Sequence, residues 1–369
     1  MELTSQERDF VPPHCPNKRC RDHAPNPFWR FRRDGVHRRR AEPRLVQRFR
    51  CLRCGRSFSS QSFRTTYWLK LPDLLVPIFH GLVQCGGIRQ IARGLGVAHS
   101  TVLNQARRLG RHCLLYEHAH APPGAPREPL VLDGLRSFEL SQYWPFDLNH
   151  VVGASTHYSY GFNLAELRRS GTMTPRQKAR RAQLERLHGR PSPKATSQQV
   201  ETLLRRVTGG PCRFELHSDE HGAYVQAVKR MDGWTVVHRR TSSKAARTPK
   251  NPLWPVNLAD LLMRHGGANH KRETIAFSKR GQAVLLRAAV HQTWRNWVKG
   301  RREREGKRSP SPAMLRGLAT RRLSVEEVLA ERLFPSRVGL PADLAEMYWE
   351  RVPTRQLPRL RSHELAYAA

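Results

Sequence analysis

The sequence predicts a multidomain chain in which a small cysteine-bounded ribbon and an all-helical segment precede an α/β domain with a mixed five-stranded sheet. Three observations predict it. Four cysteines fall in two close pairs near one end, in "CPNKRC" and "CLRCG". Residues 68–116 place apolar side chains at the helical period, and residues 128–298 alternate apolar runs of strand length with helical patterns. The boundaries drawn from these shifts are 11–63, 68–118, a proline-rich linker "AHAPPGAPREP" at 119–129, then 130–299 and a basic C-terminal tail with short helices at 300–369.

The 369 residues carry 65 Lys+Arg against 30 Asp+Glu, a formal charge of +35. Solubility does not require so much positive charge, whereas each neutralised phosphate of a polyanion releases counterions. Nucleic acid is therefore the expected partner. No apolar stretch approaches the roughly 20 residues of a membrane span, and the opening "MELTSQERDF" has no apolar signal region. No membrane partner is expected.

In the first segment, Cys15 and Cys20, then Cys51 and Cys54, have the spacing of two knuckles that close one tetrahedral zinc site. Four thiolates leave no open position for water, so this zinc is structural. His14 and His23 are alternative ligands, but the cysteines suffice. The 30 residues between the knuckles hold ten arginines, among them Arg38, Arg39, Arg40 and Arg48, interleaved with Phe28, Trp29 and Phe31. This composition suits phosphate contact. The segment reads as a zinc ribbon.

In "IRQIARGLGVAHSTVLNQARRLGRH", Ile88, Ile91, Ala92 and Leu95 share one helix face, Gly96 ends that helix, and Ser100 or His99 opens the next. Two short helices around such a turn match a helix-turn-helix. Ser100, Thr101, Asn104, Gln105, Arg107 and Arg108 then lie on or near its second helix as candidate DNA contacts. Cys85 and Cys113 flank the pair and read as small packing residues.

The next apolar runs predict strands at about 130–138, 149–156 and 158–164, close enough to form an antiparallel meander. Helical patterns follow in "TPRQKARRAQLERLHG" and in "TSQQVETLLRRVTG", the latter capped by Thr196 or Ser197. A fourth strand at 212–217, a helix starting near 219, a fifth strand in "WTVVHRR" and a helical region over 256–299 complete the domain. This order is that of a ribonuclease-H-like α/β fold. There the first acid lies on the first strand, the second at the end of the fourth and the third on a later helix, and Asp133 and Asp219 fall on the first two places. For the third, Glu273 is preferred over Asp260 because it sits among basic and polar residues, including Lys271 and Arg272. Such a trio suits two Mg2+ or Mn2+ ions about 4 Å apart, since hard cations take carboxylate oxygens. Further basic groups expected along a DNA channel are Arg136, Lys244, Arg247, Lys250, Lys279 and Arg280, whereas Trp294 and Trp297 read as core. His217, His221 and His270 are candidates for positioning water or strands.

The stretches "CPNKRC…CLRCGRSFSSQSFR", "IRQIARGLGVAHSTV", "LVLDGLRSFE", "ELHSDEHGAY" and "NPLWPVNLADLLMRHGGANHKRETIAFSKR" together resemble bacterial insertion-sequence transposases of the DDE class. The resemblance is to the group with a zinc ribbon and helix-turn-helix before the catalytic domain, like the transposases of insertion sequence one, and it covers roughly residues 14–299. It implies binding of double-stranded DNA at transposon ends and target, hydrolytic nicking, and strand transfer by the freed 3′-hydroxyl. It also implies a homo-oligomer, at least a dimer on DNA, in the bacterial cytoplasm near the nucleoid. By motif position Asp133, Asp219 and Glu273 correspond to the three acids. Competing readings are a non-catalytic, transposase-derived DNA-binding regulator and a nuclease without strand transfer.

Overall fold

The computed structural model describes residues 2–122, 124–271 and 274–357. A short helix α1 (Ser5–Asp9) precedes three antiparallel strands, β1 (Phe31–Arg38), β2 (Leu45–Cys51) and β3 (Ser57–Ser59), with β2 central. Their small core is Phe49, Phe58 and Phe63 packed around Cys15, Cys20 and Cys51. The chain before residue 11 belongs to this unit. Glu7 is fully buried and accepts from the Ser60 hydroxyl, the Gln47 backbone N–H and Arg64, which ties α1 to β2 and to the turn after β3.

Three helices follow, α2 (Leu75–Val83), α3 (Ile88–Gly94) and α4 (His99–Ala119). Gly96 has φ +64°, as the turn between α3 and α4 anticipates. The expected side-chain cap is absent: Ala98 is the N-cap, so His99 and Ser100 lie inside the first turn. Nor is the second helix short. Its 21 residues continue because Leu109 through Glu117 are buried. At Gly110 a Cβ would sit 2.5 Å from the Leu286 Cβ, so only glycine permits this close crossing.

The α/β region opens with β4 (Leu130–Phe138), β5 (Pro145–Gly153) and β6 (Ser159–Glu166), an antiparallel meander. Helices α5 (Pro175–His188) and α6 (Ala195–Thr208) lead to β7 (Arg213–Asp219), α7 (Gly222–Lys229) and β8 (Thr235–Thr241). The sheet order is β6-β5-β4-β7-β8, with β7 and β8 parallel to β4 and to each other. The second strand begins earlier than expected because its ladder with β4 runs through to the Phe138–Pro145 pair. It ends at Gly153 because Ser155 and Thr156 turn to donate to the Glu128 carboxylate, which also ties down the linker. Thr196 and Ser197 are buried inside α6 rather than capping it.

Helices α8 (Trp254–Gly266) and α9 (Gly281–Thr293), the latter continuing as a π-turn over Trp294–Val298, replace the single helical region expected over 256–299. One sheet face, through Leu130, Leu132 and Val151, packs on α6 and α7. The other buries Val131 and Val152 against α8, and Leu135, Leu148 and Phe162 in a core shared with α2, α4 and α9. The helical segment and the sheet thus share one core.

The segment from 300 is no free tail over its described residues. Phe334 inserts into the ribbon core, Leu344 and Met347 enter the central core, and buried Glu350 pairs with Arg107 and Arg111. Expected helices near 324–333 and 342–351 shorten to Val325–Val328 and Ala342–Tyr348.

Candidate functional site

The four cysteines converge. All their sulfurs lie within 4.8 Å of one another, with Cys15–Cys54 at 3.7 Å and Cys20–Cys51 at 4.0 Å. A tetrahedron with Zn–S bonds of about 2.3 Å has S···S edges of roughly 3.8 Å. The cluster can therefore hold a structural metal such as zinc. Burial pushes the Cys20 thiol up to about 11. Burial acts the same way on Cys54, but the Arg56 amide and the Asn17 side chain outweigh it and hold that thiol down at about 7. The ligand cluster comprises the four cysteines without His14 or His23, whose Nδ1 atoms bond the Cys15 carbonyl oxygen at 3.0 and 2.8 Å, and His23 is also bonded through Nε2 to the Ser336 hydroxyl.

Asp133 sits mid-strand on β4, directly opposite His150 of β5, so both point to the α8 face of the sheet. On the other side β4 and β7 pair in parallel at Val131–His217. Counting two residues on along both strands puts Asp219, the last residue of β7, beside Asp133 on the same face. From α8, Asp260 approaches that face and contacts the His150 ring at 3.1 Å. Burial first, then the field of Asp260, pushes the Asp133 carboxyl up to about 7; the Gly134 amide, donating to Oδ1 at 2.7 Å, pulls the other way, and Asp219 and Asp147 add to the rise. Burial and then the same carboxylates, led by Asp133, push the Tyr224 hydroxyl well above its ordinary value. These acids share one electrostatic field. They do not form a closed shell for a single ion: among the described residues only the cysteine set brings three or more ligand atoms within 4.8 Å of one another.

Gly134 has a specific steric role here. A Cβ at this position would lie 3.2 Å from both the Tyr224 hydroxyl and the Asp147 Cβ, so glycine lets the Tyr224 hydroxyl approach the middle of the strand. Asp147 occupies the opposite face, where Arg136 grips it with two bonds at 3.0 and 3.1 Å. Arg136 is therefore already engaged by a carboxylate.

Glu273 and Arg272 lie outside the described residues, and the described residues on either side, 267–271 and 274–280, form no helix. Among the described residues, the acid that a helix brings near Asp133 is Asp260. Sequence reasoning missed His150 and Asp147 altogether. The signal for His150 was only its even spacing from Leu148 and Val152 on one strand face.

The candidate DNA contacts divide. Arg38 and Arg40 are exposed, while Arg39 and Arg48 are half-buried; Arg39, Arg40, Arg48, His37, Trp68 and Lys70 line a cleft of about 700 Å³ beside the ribbon. On α4, Ser100 and Asn104 are exposed and Thr101 half-buried. Gln105, Arg107 and Arg108 correct the sequence expectation, because their side chains are spent inside the protein. Gln105 is buried and donates to the Leu71 carbonyl at 3.1 Å. Arg107 pairs with Glu350, and Arg108 donates to the Thr65 and Tyr67 carbonyls at 2.8 and 2.7 Å, with burial lowering its pKa to about 10. Lys271, Lys244, Arg247, Lys250 and Lys279 are exposed. Trp297 is core, donating its ring N–H to Glu117. His221 caps α7, His217 bonds Glu215, and His270 is buried.

Among the described residues no helix is long and apolar enough to cross a membrane. The chain matches no family model and no curated protein.

Proposed function

We propose that the chain is a DNA transposase of the DDE class, with a ribonuclease-H-like catalytic domain in which Asp133, Asp219 and Asp260 are the three acids. The observation that carries this reading is the convergence of those carboxylates on one face of a five-stranded sheet of order β6-β5-β4-β7-β8. Two come from adjacent parallel strands and the third from a later helix. Asp260 takes the place expected of Glu273.

Two Mg2+ or Mn2+ ions held by these carboxylates would supply a lowered pKa for the attacking water or 3′-hydroxyl and charge stabilisation for the leaving oxygen. The chain's own part is to present acceptor-only oxygens at a partly buried centre, where the mutual repulsion of the acids favours a cation. Exposed Lys244, Arg247, Lys250 and Lys271 supply charge for the DNA backbone. The ribbon cleft and the exposed start of α4 (Ser100, Thr101, Asn104) are the proposed reading surface for double-stranded DNA, with a homo-oligomer holding two ends.

The test is metal-dependent cleavage and joining of duplexes carrying the ends of the chain's own coding element. Loss of both steps in Asp133→Asn, Asp219→Asn and Asp260→Asn, with Glu273→Gln active, is expected. Cleavage by Asp133→Asn at the wild-type rate overturns the catalytic reading, and binding without any cleavage by wild type leaves the non-catalytic regulator. Cleavage without joining identifies a nuclease.

A further inference from the structure

The acid that α8 delivers to the site is held by a residue that no motif singled out. We infer that His150 is the positioning residue for Asp260, fixed in its own orientation by a buried hydrogen-bond chain through Ser159 and Asn296 to Glu117 on α4. This rests on the reading of Asp133, Asp219 and Asp260 as metal-binding acids.

The imidazole is 3 % exposed and bonded at both ends: Nδ1 lies 3.1 Å from Asp260 Oδ1 and Nε2 lies 2.7 Å from Ser159 Oγ. A carboxylate that binds metal can only accept, so Nδ1 carries the proton and Nε2 accepts from the serine hydroxyl. The carboxylate therefore sets the tautomer, and the serine hydroxyl supplies the hydrogen that Nε2 accepts. The serine is held in turn. Its backbone N–H donates to Asn296 Oδ1 at 2.9 Å, and its carbonyl accepts from Asn296 Nδ2 at 2.9 Å and Gln292 Nε2 at 2.8 Å. Asn296, fully buried on the π-turn, uses the same amide nitrogen to donate to Glu117 Oε2 at 2.9 Å. Trp297 and Tyr158 donate to the remaining positions of that carboxylate, at 3.0 and 3.3 Å.

A buried polar chain of this kind is an inefficient way to make a stable core. The neighbours of His150 on its own strand face, Leu148 and Val152, are fully buried and apolar, and an aliphatic residue at 150 would pack there without any polar atom to satisfy. What the polar residue adds is direction. A carboxylate at the end of a helical side chain rotates freely unless one oxygen is bonded, and donors behind metal-binding groups raise metal affinity roughly 10- to 100-fold. Bonding Oδ1 to the histidine fixes the carboxylate and leaves Oδ2 for a bound cation.

The experiment is a Mn2+ titration of the full chain with its cysteine cluster zinc-loaded, reading free Mn2+ by its electron paramagnetic resonance signal, alongside thermal melting. Wild type is compared with Asp133→Asn, His150→Leu, His150→Asn and Ser159→Ala. His150→Leu is expected to weaken Mn2+ binding roughly 10- to 100-fold, and Ser159→Ala to weaken it by more than about threefold. His150→Asn, whose amide can replace the Nδ1 donor, is expected to recover most of the affinity whatever its melting temperature. A purely structural histidine would instead give affinities that follow stability, with Asn no better than Leu, and that result overturns the inference. If His150→Leu does not fold, Ser159→Ala decides: wild-type affinity in that protein overturns the chain. Should wild type show no Mn2+ binding that Asp133→Asn removes, the acid-centre reading fails and the inference with it. Binding removed by Asp133→Asn but unchanged by His150→Leu sinks the positioning role alone.

Discussion

Replacing Asp133 by asparagine should make the metal-free protein more stable, and more so at high pH. In the fold the carboxyl is pushed from its usual 3.8 to about 7, while in the unfolded chain it titrates near its ordinary value. Between these two pKa values the folded state holds a proton that the unfolded state has released, so stability falls as pH rises through this window. The contribution is whole below about 3.8 and gone above about 7. Integrated, the folded wild type loses about 1.7 kcal/mol at pH 5 and about 4 kcal/mol at pH 8 from this group. Asparagine has no such dependence, so the advantage of Asp133→Asn should grow by about 2.5 kcal/mol between the two pH values. For a chain of this length that is roughly 3 to 4 °C in melting temperature. Other groups, such as the buried neutral His112, also titrate in this window, but they are common to both proteins and cancel in the difference.

The measurement is thermal unfolding of zinc-loaded wild type and Asp133→Asn at pH 5 and pH 8 without Mg2+, then with it. Zinc loading matters because a strong chelator would strip the cysteine cluster and melt the ribbon for an unrelated reason. Added Mg2+ should raise the wild-type melting temperature at pH 8 and leave Asp133→Asn where it was. A wild-type-to-variant gap of the same size at both pH values refutes the argument, because Asp133 would then not be held protonated by its neighbours.

Further outcomes follow from particular contacts. Elemental analysis should find one zinc per chain, and Cys51→Ser should lose it and melt the ribbon, since the aromatic core there is too small to fold unaided. On α4, Asn104→Ala should weaken duplex binding in a gel-shift titration with no change in melting. Arg108→Ala, by contrast, should cost about 1 to 3 kcal/mol of stability by leaving the Thr65 and Tyr67 carbonyls without their donor. Glu350→Ala leaves Arg107 and Arg111 without their buried counter-charge and should cost about 3 to 5 kcal/mol, read by urea unfolding.

What could be read from the sequence is what leaves a local, periodic mark. Asp133 follows an unbroken apolar run, Leu130 to Leu132, and Asp219 follows alternating Phe214 and Leu216, so each strand and the position of its acid are written into short stretches of chain. The cysteines announce themselves by spacing, because a tetrahedral site constrains only the residues of its two knuckles. The turn after α3 is equally local, and Gly96 takes the positive φ expected of it.

Contacts made by distant segments leave no such mark. Arg107 and Arg108 look solvent-facing in a polar helix, yet their partners lie at Glu350, Thr65 and Tyr67. Phe334 is one aromatic in a proline-broken stretch, and nothing local says that it completes the ribbon core. The third acid of the proposed site depends on such a contact. Local polarity favoured Glu273, since basic neighbours suggest DNA nearby. But reaching Asp133 requires a helix lying across the correct sheet face, and α8 does so through Val256, which packs on Val131 and Val152 and brings Asp260 one helical turn further along. The apolar residue that docks the helix is thus what brings Asp260 to that face. His150 obeys the same logic. As one polar residue within a buried strand it is indistinguishable from a satisfied core histidine until strand register sets it opposite Asp133, and the register depends on the whole ladder from Leu130–Gly153 to Phe138–Pro145.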